Sequence, residues 1–216
     1  MDDYRTGIVL DLDGTLVDSV YHHVLSWDDA LRSAGLDPGP LWRVHRAIGM
    51  GGDRLLPWVL GRPAADLGDL AGQVQERHEQ AFLSRADSLR ATPGALALLD
   101  DLAERGVPFV IATSATQTVE TALMDVLGRK DVDTTNSDEV PSSKPGPDSV
   151  LAACRRLGVP PAAATLVGDS PWDAEAAARI GTRMLGVRTG GFSPQELREA
   201  GAAAVVDDPL ALLGRL

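Results

Sequence analysis

The sequence predicts an α/β fold, in which a parallel sheet alternates with helices and an all-helical segment is inserted after the first strand. Short apolar segments rich in β-branched residues recur along the chain, and helical patterns separate most of them, as in successive βαβ units. The stretch from about residue 17 to residue 87 contains no convincing strand. We therefore expect a sheet formed by the residues on either side of this insertion.

Six segments are candidates for the strands of the sheet. Near-continuous apolar runs are typical of strands that are buried on both faces of a parallel sheet. The four clearest are Ile8–Leu10, Phe109–Ala112, Thr165–Val167 and Arg183–Val187, while Ala203–Val206 is weaker and Val132–Thr135 is marginal.

The inserted segment begins with an amphipathic helix. Its apolar positions recur at intervals of four and three and are Val20, Val24, Trp27, Leu31 and Ala34. Shorter helical patterns follow over Trp42–Ile48, Asp53–Leu60 and Leu70–Leu83. We expect hinges near Val17 and between Ala86 and Ala91. The chain then divides into a core of residues 1–16 and 88–216 and an insertion of residues 17–87.

A serine or threonine followed by proline marks the predicted start of three helices outside the insertion. A hydroxyl at the N-cap accepts a hydrogen bond from an N–H group of the first turn, and proline suits the first helical position. The three pairs are Thr92-Pro93, Ser170-Pro171 and Ser193-Pro194, and Ser193 with Glu196 also matches a capping box.

The composition is ordinary for a soluble globular protein and argues against several kinds of partner. The net charge of −11 and the pI of about 4.7 disfavour nucleic acid or an anionic membrane.

The acidic N-terminus lacks the apolar core of a signal peptide, and no apolar run is long enough to span a membrane. The single cysteine, Cys154, lies on a helical apolar face, so we expect a buried thiol in a cytoplasmic protein.

Two aspartates at the end of the first strand candidate are the strongest chemical signal. Asp11 and Asp13 follow an apolar run, where carboxylates are costly unless a metal ion, a cation or hydrogen bonds compensate them. Residues two apart on a strand point the same way, and Gly14 then ends the strand. This pattern favours a Mg²⁺ site with a carboxylate nucleophile.

Further polar residues follow other strand candidates. Thr113 and Ser114 come directly after the second clear candidate, and Asp169 and Asp173 follow the third. Lys144 precedes a Pro-Gly-Pro sequence, in a chain that has only two lysines against 18 arginines. Because α/β proteins bind ligands at the carboxyl ends of their strands, we expect these residues to converge with the aspartate pair.

These four motifs, with a helical insertion after the first, resemble the haloacid dehalogenase-like hydrolase superfamily over essentially the whole chain. The resemblance is to the subfamily I members, and it implies a Rossmann-like parallel sheet core with an inserted all-helical cap domain. It implies that Asp11 is the nucleophile that receives a phosphoryl group and that Asp13 is the acid and base. Thr113 then binds a phosphoryl oxygen, and Lys144 neutralises the nucleophile and the transferring group.

The resemblance also implies a magnesium ion. Its ligands are Asp11, Asp169 and the main-chain carbonyl of Asp13, while Asp173 supports the metal or orients Lys144. Mg²⁺ prefers hard oxygen ligands of this kind. The implied substrate is a small-molecule phosphate ester, with no nucleic acid and no membrane as partner, and the expected state is a monomer or homodimer.

Five residues are expected to contact the substrate: Gly14, Thr15 and Ser114 in the core, and His23 and Arg54 in the cap. His23 and Trp27 resemble a His and a Trp on the first cap helix of β-phosphoglucomutases. The stretch Ile48–Leu55 has glycine where the mutases carry Ser and Arg, and is more similar to the cap loop of phosphoglycolate phosphatases. We therefore favour a small-molecule phosphatase in which Arg54 reaches the distal group of the substrate.

Six of the predicted site residues also have a purely structural alternative. Helix capping is the alternative for Thr113, Ser114 and Asp173, an exposed surface position for Lys144 and Arg54, and packing within the cap for His23. Two other functions stay open as well. One is a β-phosphoglucomutase-like phosphosugar mutase, and the other is a non-catalytic binding or regulatory relative.

Overall fold

A computed structural model describes residues 7–216 and contains a six-stranded sheet in which all the strands are parallel. The strands are β1 (Gly7–Asp11), β2 (Phe109–Ala112), β3 (Thr134–Thr135), β4 (Ala164–Gly168), β5 (Arg183–Val187) and β6 (Ala204–Val206). They lie in the order β3-β2-β1-β4-β5-β6. All six predicted strands are present, including the marginal β3, and the α/β prediction is confirmed.

Four helices follow β1, and no strand occurs before β2 begins at Phe109. The helices are α1 (Val20–Ser33), α2 (Leu41–His45), α3 (Gly52–Leu60) and α4 (Asp69–Leu83). The apolar face predicted for α1 is buried except at Ala34, which follows the end of the helix and is partly buried, and it shares a cluster with Leu55 of α3 and Val74 of α4. The insertion is therefore all-helical and has an apolar core of its own.

Five further helices cover both faces of the sheet. They are α5 (Ala95–Glu104), α6 (Gln117–Leu127), α7 (Asp148–Leu157), α8 (Pro171–Ala178) and α9 (Pro194–Ala200). Alternate residues of β1 face opposite sides, as the period of a strand requires. Leu10 is buried in the cluster that includes α5 and α6, while Val9 is buried in the cluster that includes α7, α8 and Cys154.

Two backbone hydrogen bonds join the segments that connect the insertion to the sheet. The N–H of Asp18 donates to the carbonyl of Arg90 at 2.8 Å, and the N–H of Thr92 donates to the carbonyl of Leu16 at 2.9 Å. Val17 pairs with Ala91 as an antiparallel bridge. These contacts lie where hinges are expected from the sequence, and the domain boundaries themselves stay a prediction.

The prediction that Thr92 caps a helix was wrong, whereas both serine caps are confirmed. The helix α5 begins at Ala95, because Gly94 adopts a left-handed φ of 80° and its Cα approaches Leu210 so closely that a Cβ would lie 2.4 Å from the backbone. The Thr92 hydroxyl instead donates to the carbonyl of Thr15 at 2.7 Å. Ser170 and Ser193 each accept a hydrogen bond in a complete capping box.

No helix within residues 7–216 combines the length and the apolar character that crossing a membrane requires. The prediction of a buried thiol is confirmed, since Cys154 is 2% exposed.

Candidate active site

Lys144 lies among three buried aspartates at the carboxyl edge of the sheet. Asp11 ends β1, and Asp169 directly follows the neighbouring strand β4. The Lys144 ammonium pairs with Asp11 and lies 2.7 Å from Oδ1 of Asp173. All four residues are at most 5% exposed. The surface alternative for Lys144 was therefore wrong, and the motifs converge as the sequence predicts.

Burial and mutual repulsion shift the pKa values of this cluster. Burial raises the pKa of Asp11 to about 7, although Lys144 opposes the change. Burial and the charge of Asp11 also raise the pKa of Asp169 well above its usual value. Burial alone would lower the pKa of Lys144, but Asp11 and Asp173 raise it above the ordinary range. Three carboxyl groups beside one ammonium cannot all stay ionised here without a further cation, so the raised pKa values of Asp11 and Asp169 favour binding of a positive ion.

The carboxylates fit a divalent metal ion. One oxygen from each of Asp11, Asp169 and Asp173 lies within 4.8 Å of the others. These are the hard oxygen donors that Mg²⁺ binds. The Asp13 side chain is outside this group, so a metal-binding role for Asp13 rests on its main-chain carbonyl, as the family resemblance implies.

Asp173 both caps a helix and contacts Lys144, which are two of the roles considered for it from the sequence. Its Oδ2 accepts hydrogen bonds from the N–H of Ser170 at 3.1 Å and from the Ser170 hydroxyl at 2.5 Å, which caps α8. Its Oδ1 faces Lys144. The start of α8 therefore fixes the carboxylate that holds the lysine.

The side chain of Asp13 is held apart from the acidic cluster by three polar neighbours. The Ser19 hydroxyl donates to it at 2.7 Å, the Thr113 hydroxyl donates at 3.1 Å, and Nε2 of His23 lies 2.8 Å away. Burial alone would raise the pKa of Asp13, but the charge of His23 and these hydrogen bonds lower it. Asp13 is therefore a carboxylate in the ligand-free protein.

Gly14 and Thr15 form the turn that follows β1. Gly14 has a φ of 75°, and a Cβ there would lie 2.4 Å from Oδ2 of Asp169, so the turn requires glycine. The Thr15 hydroxyl lies 3.0 Å from Oδ1 of Asp169 and 3.3 Å from Oδ2 of Asp11. Thr15 thus joins two of the clustered aspartates, and its predicted contact with substrate stays a prediction.

A cavity of about 320 Å³ lies between the edge of the sheet and the helical insertion. Asp11, Asp13, Thr113 and Ser114 line it from the core, and His23 lines it from the insertion. Its volume is in the lower part of the range for small-molecule sites. The predicted nucleophile and acid/base therefore face one space of metabolite size.

A second histidine, His78 of α4, extends the contacts of Asp13 into the insertion. Its Nε2 lies 3.0 Å from Nδ1 of His23, and its ring stacks on Trp27 with 3.9 Å between ring centroids. Burial lowers the pKa of His78 well below its usual value, so this ring is neutral. Sequence reasoning missed His78, although it lies four residues from both Val74 and Phe82 on the apolar face of α4.

His23 meets both descriptions given for it from the sequence. It is packed within the insertion, where its ring stacks on Phe82 at 4.1 Å, and it also reaches Asp13.

The insertion also reaches the loop that carries Lys144. The Arg54 guanidinium donates to the Ser142 hydroxyl at 2.7 Å, and the Ser143 hydroxyl donates to Oδ1 of Asp53 at 2.5 Å. Asp53 lines the cavity, whereas Arg54 is exposed and outside the lining. These serines are a second set of site residues that the sequence did not reveal, because nothing in their local pattern names a partner 88 to 90 residues away.

Comparisons with known proteins agree with this geometry. The sequence profile of the haloacid dehalogenase-like hydrolases matches residues 6–181. A phosphoglycolate phosphatase from Rhodospirillum rubrum is 33% identical over 93% of this chain and 86% of its own length. Hexitol phosphatase A from Escherichia coli is 28% identical over 88% of this chain and 86% of its own.

The crystal structure of a hydrolase from Pseudomonas syringae superposes with a TM-score of 0.90 at 35% identity, and the match covers 96% of each chain. The profile match covers most of the chain and includes all the motifs that form the buried cluster. The chain therefore belongs to the haloacid dehalogenase-like hydrolases.

Proposed function

We propose that this protein is a Mg²⁺-dependent phosphatase that hydrolyses a small phosphate monoester through an aspartyl-phosphate at Asp11. The observation that carries the proposal is the joint position of Asp11 and Asp13 on one cavity wall, with Lys144 paired to Asp11. The R. rubrum relative and the E. coli relative are both phosphatases by name.

Asp11 is the nucleophile in this scheme, and Asp13 handles the proton. A carboxylate oxygen of Asp11 attacks phosphorus, the bond from phosphorus to the ester oxygen breaks, and Asp13 protonates the departing oxygen. Asp13 then takes a proton from the water that attacks the aspartyl-phosphate, which releases inorganic phosphate and restores Asp11. Asp13 must carry a proton when the first step occurs, and the negative charge of a bound phosphate favours that form.

Lys144 and Thr113 position and neutralise the transferring group. The ammonium of Lys144 offsets negative charge on Asp11 and on the phosphoryl oxygens, which is the main requirement of phosphoryl transfer. Thr113 already donates to Asp13 in the ligand-free site, so substrate competes for this hydroxyl. The Ser114 hydroxyl has no hydrogen-bond partner among residues 7–216, which leaves it free to bind a phosphoryl oxygen.

Asp11, Asp169 and the main-chain carbonyl of Asp13 would hold the Mg²⁺, with Asp173 in support. When bound, the ion supplies charge neutralisation for phosphoryl transfer. The clustered carboxyl oxygens of Asp11, Asp169 and Asp173, with raised pKa values at Asp11 and Asp169, support this assignment.

The insertion, residues 17–87, acts as a cap over a core of residues 1–16 and 88–216. The bonds from Asp53 and Arg54 to the serines beside Lys144 hold it closed. We assign the choice of substrate to the cap and the chemistry to the core. A direct contact of Arg54 or His23 with substrate stays a prediction.

The proposed partner is therefore a small phosphate ester, acted on by a monomer or homodimer. The net charge of −11 disfavours a nucleic acid as substrate. The single cysteine among 216 residues is consistent with a cytoplasmic enzyme.

Hydrolysis of p-nitrophenyl phosphate with and without Mg²⁺ tests the proposal. We expect release of free phosphate that requires the metal and is lost in Asp11→Asn. No release would favour the non-catalytic alternative. Conversion of β-glucose 1-phosphate to glucose 6-phosphate without net release of phosphate would favour the phosphomutase.

A further inference from the structure

The cavity beside Asp13 has an acidic lining with no fixed basic residue. Three carboxylates beyond the catalytic pair line it: Asp53 from α3, Glu79 from α4, and Asp138 from the turn after β3. No lysine or arginine among residues 7–216 lines it. Lys144 pairs with Asp11 and Asp173 and is not part of the lining.

The two histidines do not change this balance. His78 is neutral because burial lowers its pKa, and the charge that His23 carries when protonated is paired with Asp13, whose Oδ1 lies 2.8 Å from its Nε2. The guanidinium of the exposed Arg54 donates a hydrogen bond to the Ser142 hydroxyl. A second negative group on the substrate would therefore face carboxylates and find no fixed cation to pair with.

Apart from the carboxylates and the two histidines, the polar side chains of the lining are neutral, namely serine and threonine hydroxyls and the Gln75 amide. Ser149 belongs to this lining, although its own hydroxyl oxygen is shielded from solvent and has no hydrogen-bond partner among the described residues. Ser149 as a whole is 2% exposed.

Substrate hydroxyls complement both parts of this lining. A hydroxyl donates to carboxylates such as Asp53 and Glu79, and it can also accept from serine hydroxyls. A substrate carboxylate can only accept, and it is repelled by the acidic wall.

We propose that the substrate is a neutral polyhydroxylated phosphate monoester, a polyol or sugar phosphate, rather than one that carries a second anionic group. The proposal rests on the phosphatase activity proposed above and specifies the substrate class of that site.

A panel of four phosphate esters tests this proposal on the full-length protein with Mg²⁺. Sorbitol 6-phosphate represents the neutral polyols, 2-phosphoglycolate the carboxylates, O-phosphoethanolamine the cations, and p-nitrophenyl phosphate the generic activity. We expect kcat/KM for sorbitol 6-phosphate to exceed that for 2-phosphoglycolate at least tenfold. A preference for 2-phosphoglycolate or for O-phosphoethanolamine would overturn the proposal, as would equal values for all the metabolites.

Failure of the underlying activity gives a different result. If none of the four esters is hydrolysed, including p-nitrophenyl phosphate, then both the proposed phosphatase function and this inference are wrong. If p-nitrophenyl phosphate is hydrolysed and 2-phosphoglycolate is the best metabolite, the phosphatase function stands and only the inference is wrong.

A charge reversal on the cavity wall tests the cause of the preference. Glu79→Lys should raise the ratio of kcat/KM for 2-phosphoglycolate over sorbitol 6-phosphate at least tenfold, and Glu79→Gln should raise it less. Glu76→Lys makes the same charge change on an exposed position of α4 outside the cavity lining and should leave the ratio unchanged. A ratio that stays at the wild-type value in both Glu79 variants would contradict the role of the acidic wall.

Discussion

The ammonium of Lys144 lies 2.7 Å from Oδ1 of Asp173, and both side chains are 1% exposed. The other carboxylate oxygen of Asp173 completes the capping box of α8 with Ser170. Asp173 therefore caps the start of a helix and also aligns the lysine that pairs with the predicted nucleophile. Capping and alignment use different oxygens, so variants can separate them.

We expect Asp173→Asn to lower kcat roughly 10- to 100-fold, the usual cost of losing a residue that orients a catalytic group. Asparagine can still accept hydrogen bonds from Ser170, so the loss of stability should be small. Ser170→Ala should instead destabilise the protein by about 1 kcal/mol, with a smaller effect on kcat. Steady-state kinetics and urea unfolding of both variants make the comparison. Equal effects of the two variants on kcat would contradict the alignment role.

The acidic cluster should bind Mg²⁺ measurably without any substrate. Binding to the folded state alone stabilises it by about 2.7 kcal/mol at about 100 times Kd, so Mg²⁺ should raise the Tm. Asp169→Asn should abolish this shift. Activity should disappear in a chelator, return with Mg²⁺, and be inhibited by Ca²⁺, which accepts looser coordination. Full activity in excess chelator would remove the metal from the account.

Arg54→Ala should affect substrates unequally. The Arg54–Ser142 hydrogen bond joins the cap to the loop of Lys144, and closure matters most for a substrate that fills the cavity. We expect kcat/KM to fall roughly 10-fold on the preferred metabolite and to change little on p-nitrophenyl phosphate. The comparison variant is Lys144→Ala, which should lower both about 100-fold or more. An equal fractional loss on the two substrates in Arg54→Ala would refute the specificity role.

Glu196 should contribute to the free energy of unfolding above pH 4.5, and this contribution should be lost in acid. Hydrogen bonds from the N–H and hydroxyl of Ser193, together with Arg46 of the cap, lower the pKa of Glu196 to about 2. The ionised form is therefore favoured by folding, so its contribution is complete above the usual pKa of 4.5 and fades as the pH falls towards 2.

The corresponding variant is Glu196→Gln, which should be about 0.5–1 kcal/mol less stable than wild type at pH 7. This difference should narrow between pH 4.5 and pH 3 in urea unfolding. Glu199→Gln, on the same helix but outside the capping box, is the control and should show almost no difference. If the stability difference between wild type and Glu196→Gln stayed constant with pH, the capping carboxylate would be ruled out as its cause.

The local pattern of the sequence was enough to predict the sheet and its catalytic edge. Strand β1 is a short apolar run, and its position beside β2 and β4 brings Asp11 and Asp169 together. Even β3, only two residues long, carries the expected signal. Periodicity and burial act over a few residues, which is why this level of structure can be predicted from a single sequence.

The missed features depend on contacts between distant parts of the chain. Thr92 has the sequence of a helix cap, but the approach of Leu210 to Gly94 moves the start of α5 and frees the Thr92 hydroxyl for Thr15. His78 is a polar residue on an apolar face, and only the packing of α1 against α4 brings it to His23. Such pairings follow from tertiary packing, which local sequence does not encode.

The identity of the nucleophile is tested most directly by trapping the intermediate. Enzyme quenched with acid during turnover of a phosphate ester, then digested and mapped by mass spectrometry, should carry a phosphoryl group on Asp11. Asp11→Asn should show no such adduct, should retain the wild-type circular dichroism spectrum, and should lose at least about 1,000-fold in kcat. A phosphoryl group on any other residue, or substantial turnover by Asp11→Asn once deamidation is excluded, would contradict the account.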